Sequence, residues 1–379
     1  MMRYKNAMIY TEDFRFVPGS FAVENGRFAQ VLTAEEEGAV DLQGAYVIPG
    51  LIDVHTHGNS GEDFSDGSAE GLEKMAKHYA QCGVTSFAPA SMTLAYETLH
   101  KAFVNAKEFV EKDVPGAAAL RGIQMEGPFF SEKKKGAQNG EFLRDPDTDA
   151  FSKLYEASGG LIAIADVAPE LPGSLEFIEA ASKLCTISIA HTDAEYEQAV
   201  DAIGAGVTHL THAFNAMSPI HHRKPGVITA AAEDERVSAE IISDGMHAHP
   251  AIVRLAFRLF GAERMVLVSD SLRCCGMPNG EYELGGQPVF LKDGLARLAD
   301  GTIAGSAIDV YECMLRAVSF GIPKEDAVRA ATYNPARQIG ALEQVGSIAN
   351  GKVADFVLCD EKLQRKAVYL RGECIRQEN

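Results

Sequence analysis

Six side chains able to hold a metal ion stand at the ends of apolar runs in this sequence. His55 and His57 close the run at 47–54, and Glu126 ends the run at 119–125. His191 follows the run at 186–190, His212 the run at 207–211 and Asp270 the run at 265–269. A spacing of two puts the imidazoles of His55 and His57 on one face of a strand, where both can converge on one ion. Imidazole and carboxylate donors suit Zn, Fe, Mn and Co alike. One histidine at a strand end is more often a hydrogen-bonded or capping residue than a ligand; six such groups at the same end of successive runs point to a metal site. The other histidines read differently. His78 and His100 fall in helical stretches and are expected on the surface. His209, three residues before His212, is expected on the opposite strand face in a structural role. Cys274-Cys275 read as loop residues, and Lys133-Lys134-Lys135 as a mobile rim loop.

Holding these groups together requires strands that share one direction. The strand-like runs lie at 47–54, 84–88, 119–125, 161–167, 186–190, 207–211, 237–242 and 265–269, with amphipathic stretches between them such as 69–81, 94–111, 194–203 and 251–259. This alternation predicts an α/β fold, a (β/α)8 TIM-like barrel, with the site just past the C-terminal ends of its strands. A doubly wound open sheet would normally carry a glycine-rich phosphate loop after its first strand, and Val54-His55-Thr56-His57-Gly58 is not one. Residues 1–46 read as short strands with turns, including the hairpin signal Asn25-Gly26. The last forty residues or so read the same way. Neither end has the apolar surface for its own core. They are therefore expected to pair as a small β-sandwich domain of 1–46 and 341–379, with the barrel, 47–340, inserted between them.

Composition narrows the function classes. The chain has 379 residues, 46% hydrophobic and 23% charged, which is ordinary globular composition. Lys and Arg number 35 against 53 Asp and Glu, a net charge of −18, and no basic block is present. No nucleic-acid partner is expected, since phosphate backbones are met by dense Lys/Arg. A small anionic substrate remains compatible, held by one or two local arginines. The first residues carry no apolar signal core and no long apolar window appears, so neither secretion nor a membrane span is expected. Seven cysteines, with only Cys274 and Cys275 adjacent, point to a reducing cytoplasm.

The segment from Pro49 to Gly58, Pro-Gly-Leu-Ile-Asp-Val-His-Thr-His-Gly, resembles the opening of the amidohydrolase superfamily. Met125-Glu126-Gly127-Pro128-Phe129, Ala190-His191-Thr192, Thr211-His212-Ala213-Phe214-Asn215-Ala216-Met217 and Asp300-Gly301-Thr302-Ile303-Ala304-Gly305-Ser306 are similar to its N-acetylglucosamine-6-phosphate deacetylase branch. The resemblance runs over nearly the whole chain. Related hydantoinases and dihydroorotases bridge two metals with a modified lysine on the fourth strand. The run at 160–167 has no lysine, which leaves Glu126 as the natural bridge.

The resemblance implies residue roles. Glu126, His191 and His212 match the principal metal site, and His55 and His57 a second one, so that each subunit would hold one or two divalent ions. Asp270 matches the catalytic aspartate. A bound divalent ion lowers the pKa of its water toward about 7, and Asp270 would then move the proton from that water to the departing amine. His247 matches the histidine that polarises the amide carbonyl. Asn215, Ala216 and Arg223 match the phosphate-binding residues, and Gln138 stands where some members place a phosphate-side histidine. Arg254 would add charge across a homodimer interface. The implied reaction is deacetylation of a small amino-sugar phosphate, N-acetyl-D-glucosamine 6-phosphate. The alternatives are the galactosamine isomer or another N-acyl compound. A sugar-phosphate-binding protein on an inactive barrel would be expected to have lost ligands or Asp270. Three departures, Gln124, Gln138 and Ser271, are expected near the substrate and leave the sugar open.

Overall fold

A computed structural model describes residues 1–33 and 38–378. Eight parallel strands build the central barrel: β1 (Leu51–Thr56), β2 (Val84–Pro89), β3 (Ile123–Met125), β4 (Ile162–Val167), β5 (Thr186–Ile189), β6 (Val207–Leu210), β7 (Ser238–Ile242) and β8 (Met265–Val268). Strands β3 to β8 form one continuous parallel ladder, and β1 pairs with β2. A bridge from Ala90 to Gln124 joins β2 to β3. The ring closes where the Asp270 amide donates to the His55 carbonyl at 2.8 Å. Every residue of β1 and β2 is buried, as expected for parallel strands covered on both faces. Ile52, Val54, Ile164, Ile242, Val266 and Val268 form one apolar cluster. Because β1 and β4 are not neighbours, their side chains meet across the inside of the ring, so this barrel is packed and is not a pore.

The covering helices follow from their sequences. In α1 (Ala69–Cys82), Leu72, Met75, Ala76, Tyr79 and Ala80 make one buried stripe at helical spacing. Ser68 caps its first turn by accepting from the Gly71 amide, and Gly83, at φ 86°, ends it in the left-handed region where glycine costs least. Helix α2 (Tyr96–Lys112) buries Leu99, Phe103, Ala106 and Phe109 in the same way. His100 is exposed, as its helical position suggests. His78 is instead half-buried, because the chain at Gly276 covers it and Cys82 lies 3.5 Å away.

Both ends of the chain enter one seven-stranded sheet. Its order is Glu373–Gln377, Arg365–Leu370, Phe356–Cys359, Val40–Pro49, Met2–Tyr10, Phe16–Glu24 and Arg27–Thr33. Asn25 and Gly26, both at positive φ, make the tight turn between Phe16–Glu24 and Arg27–Thr33. The run at 47–54 divides at Gly50, its first part pairing in the terminal sheet and its second becoming β1. The run at 119–125 is likewise interrupted, with Ala119–Leu120 pairing to β2 and β3 beginning at Ile123. A four-stranded antiparallel sheet of Gly280–Leu284, Gln287–Lys292, Leu295–Leu298 and Ile303–Ser306 is inserted after β8. No helix among the described residues is long and apolar enough to cross a membrane. All seven cysteines are free.

Candidate metal centre and active site

At the C-terminal end of the barrel the chain leaves β5, β6 and β8 through residues in the left-handed region. His191 has φ 42°, His212 φ 27° and Asp270 φ 49°. This conformation is costly for side chains with a Cβ and persists where the surrounding structure dictates it. Here it turns three candidate ligands inward.

They meet at Glu126, just past β3. Its Oε1 lies 3.1 Å from Nε2 of both His191 and His212, and those two nitrogens are 3.2 Å apart. Donors around a tetrahedral ion with bonds of 2.0–2.1 Å stand roughly 3.3–3.4 Å from one another, so this triangle has the size of one face of such a site. The second carboxylate oxygen lies 3.3 Å from His57 Nε2. Asp270 Oδ1 is 3.1 Å from His57 Nε2 and 3.8 Å from His55 Nε2, which is itself 3.6 Å from Glu126 Oε1. Two ligand groups result, His55 with Glu126 and His212, and His55 with His57 and Asp270.

The donor chemistry fits a divalent cation. His55 Nε2 is buried with no hydrogen-bond partner among the described residues, while its Nδ1 is taken by Glu240 at 2.9 Å. Likewise His191 Nδ1 donates to the Lys134 carbonyl at 3.0 Å, which turns Nε2 toward Glu126. Burial alone would push the carboxyls of Glu126 and Asp270 up and the imidazoles of His55 and His57 down. Mutual attraction reverses each shift, holding both carboxyls below their usual range and raising His57 to about 10. The cluster therefore draws positive charge to itself, and a divalent ion can supply it in place of protons.

Above the cluster is a cavity lined by His57, Glu126, His191, His212 and Asp270, together with Gln138, Asn215, Ala216 and His247. Leu284, Ile303 and Gly305 of the inserted sheet, with Thr302 just before its last strand, also line it. His247 is held through Nδ1 by the Asp244 carboxylate at 2.7 Å, leaving Nε2 as its free ring nitrogen. Burial would lower the His247 pKa, but Asp244 outweighs it and raises it. Asn215 Nδ2 is buried and unpartnered among the described residues.

Several residues sit elsewhere than the sequence suggests. Gln138 donates to Glu126 Oε2 at 2.9 Å and accepts from the Thr93 amide at 2.7 Å, so it braces a candidate metal ligand. Gln124 points down the barrel to Asp166 and Thr211, each 3.2 Å away, and Ser271 bonds Thr56 and Gly58. Of the three departures only Gln138 lines the cavity; Gln124 faces the barrel interior, and Ser271, past the end of β8, turns toward Thr56, which bonds Tyr79 of α1. The lysine run, expected to be mobile, forms a short turn in which Lys133 and Lys134 pair with Asp193 at 3.3 and 3.5 Å. Arg223 is exposed beside His222, and Arg254 donates to the Phe320 carbonyl; neither lines the cavity within one chain. His209 is fully buried and bonded to Ser188. Three contributors went unread in the sequence: Glu240, Asp244 and the Lys134 carbonyl. An acid inside the apolar run at 237–242 was the available signal for Glu240.

Residues 46–375 match the sequence model of the amidohydrolase family. The chain belongs to this family. It is 36% identical to an N-acetylglucosamine-6-phosphate deacetylase of Bacillus subtilis, over 97% of this chain and 95% of that one. It is 33% identical to an N-acetylgalactosamine-6-phosphate deacetylase of Escherichia coli O157:H7, over 86% of each. A solved N-acetyl-D-glucosamine-6-phosphate deacetylase from Mycobacterium smegmatis superposes with a TM-score of 0.93 at 32% identity, covering 99% of this chain and all of the other. In this amidohydrolase the candidate ligand residues lie at one mouth of the strands.

Proposed function

We propose that this amidohydrolase hydrolyses the acetamide of N-acetyl-D-glucosamine 6-phosphate, releasing acetate and D-glucosamine 6-phosphate. The observation that carries the reading is the convergence of Glu126, His191, His212, His57 and Asp270 on one wall of a cavity whose rim holds His247 and Asn215. A bound divalent ion, Zn, Fe, Mn or Co, supplies Lewis acidity and an activated water there. Glu126, His191 and His212 would hold the first ion; His55, His57 and Asp270 would hold a second, with Glu126 shared.

The chain's own groups do the rest. Asp270 takes a proton from the attacking water and passes it to the departing nitrogen. His247, oriented by Asp244, offers Nε2 to the amide oxygen as charge develops on it. Gln138 keeps the Glu126 carboxylate facing its imidazoles. The substrate phosphate lies toward Asn215 and Ala216. Arg223 and Arg254 reach it from a second copy of the chain. The exposed apolar residues Ile220, Met246 and Leu255, close to them in sequence, support a homodimer. Seven free cysteines support a cytoplasmic location. The sheet that both ends share supports a small β domain built from 1–46 and 341–379 on a barrel of 47–340.

The test is acetate release from the glucosamine and galactosamine isomers by protein supplied with each candidate metal. Higher kcat/KM on the glucosamine isomer is expected; preference for the other isomer would reassign the sugar. No turnover of either substrate with any metal would defeat the reading.

A further inference from the structure

Glu240 lies in the middle of β7, in the sequence Ser-Ala-Glu-Ile-Ile, and is wholly buried. An apolar residue would be the ordinary occupant, since an unneutralised carboxylate is costly to bury. Among the described residues its charged neighbours are the imidazoles of His55 and His209. Its Oε2 accepts two hydrogen bonds, from Nδ1 of His55 at 2.9 Å and from the backbone amide of His212 at 3.0 Å. The Glu240 carbonyl accepts from the next amide, that of Ala213, at 2.8 Å. On the other side Oε1 lies 3.7 Å from Nε2 of His209, whose Nδ1 is held by Ser188 at 3.0 Å.

We propose that Glu240 is a positioning residue that ties the two ligand sets together through one carboxylate oxygen. His55 is shared by both ligand groups, and His212 belongs to the one that holds Glu126. For His55, an acceptor at Nδ1 fixes the tautomer in which Nε2 carries a lone pair for the ion, and its negative charge makes that nitrogen a stronger donor. For His212, the same oxygen anchors the amide of a residue held at positive φ, and so sets where its imidazole points. A displacement at either set is felt at the other, because both hang from the same atom. This inference rests on the metal-centre reading above but not on the identity of the substrate.

The test compares wild-type protein with Glu240→Gln, which keeps the shape and an acceptor oxygen but removes the charge. Metal affinity is measured by competition with a calibrated chelator, alongside the melting temperature of each metal-free form. Loss of such an outer partner lowers metal affinity about 10–100-fold, and that loss is the expected result, whatever the melting temperature of the metal-free variant does. Tight binding by the wild type and equal binding by the variant would overturn the proposal alone. Absence of metal binding by the wild type would overturn the metal-centre reading, and this inference with it. Should the variant not fold, the 15N signal of His55 in zinc-loaded wild-type protein decides. A proton on Nδ1 is expected, and a proton on Nε2 overturns the proposal.

Discussion

His191 and His212, just past consecutive barrel strands, bring their Nε2 atoms to 3.2 Å of each other and aim both at one oxygen of Glu126. Two imidazole lone pairs this close repel unless a proton or a cation sits between them. Glu126→Gln removes the charge that balances such a cation. Its metal content after dialysis, read by mass spectrometry, should fall by more than the roughly 10–100-fold loss in affinity seen for outer partners. Wild-type metal content in this variant would show that Glu126 is not a ligand.

Asp270 stands 3.1 Å from His57 and lines the cavity. Asp270→Asn keeps its size but cannot accept and return a proton. General acid–base roles contribute about 10²–10⁴-fold, so kcat should fall by that factor while KM for the sugar phosphate stays within a few-fold. Steady-state kinetics at saturating metal would check it, and an unchanged kcat would leave Asp270 with a structural part only.

The phosphate assignment separates substrate from scaffold. Arg223→Ala should raise KM for the phosphorylated sugar by about tenfold or more, consistent with loss of a charge-assisted pair. It should leave the weaker turnover of unphosphorylated N-acetylglucosamine unchanged. Equal effects on both substrates would remove Arg223 from the phosphate site.

A second acid offers a test of stability. Asp355 is buried in the terminal sheet region, where burial raises its pKa and its carboxylate accepts from the Arg371 amide at 2.8 Å. A carboxyl with a raised folded pKa adds stability below its unfolded pKa, about 3.9. That contribution is lost as pH rises through the folded value. Asp355→Asn, which keeps an acceptor, should therefore unfold at higher urea concentration than wild type at pH 7. The advantage should vanish near pH 3.5. A variant that is weaker at pH 7 would mean that the charge of Asp355 on Arg371 and Arg121 matters more than its burial.

Gly50 marks where the terminal sheet hands the chain to β1. A Cβ there would stand 2.1 Å from Thr85 Oγ1 and 2.7 Å from Thr85 Cβ. Gly50→Ala should cost about 1–3 kcal/mol by overpacking, measured by urea unfolding. Adding Thr85→Ala should recover only part of it, because the Thr85 Cβ remains too close.

The barrel was readable from the sequence because its strands are short apolar runs that alternate with amphipathic stretches, and six of the eight runs keep their limits to within a residue or two. The other two were misread at Gly50, where one run passes from the terminal sheet into the barrel, and at Arg121-Gly122, where a barrel strand is interrupted, since period alone cannot say which partner a strand takes. The inserted sheet after β8 escaped notice: its strands are short and alternate exposed with buried residues, as in Gln-Pro-Val-Phe-Leu-Lys at 287–292. In the site, types at strand ends revealed the ligands. What the sequence could not carry was orientation. The brace from Gln138 to Glu126 and the two bonds to Glu240 join residues far apart in the chain, and only packing decides them.

The shared terminal sheet has a consequence for biosynthesis. Val40–Pro49 pairs on one side with Met2–Tyr10 and on the other with Phe356–Cys359. While the chain is emerging from the ribosome, one edge of that strand stays bare until some three hundred further residues have been made. The barrel can mature during that interval, but an open edge is a template for stray pairing. Vulnerability to aggregation should therefore be concentrated in nascent chains that stop short of Phe356, and it should end when the last strands arrive.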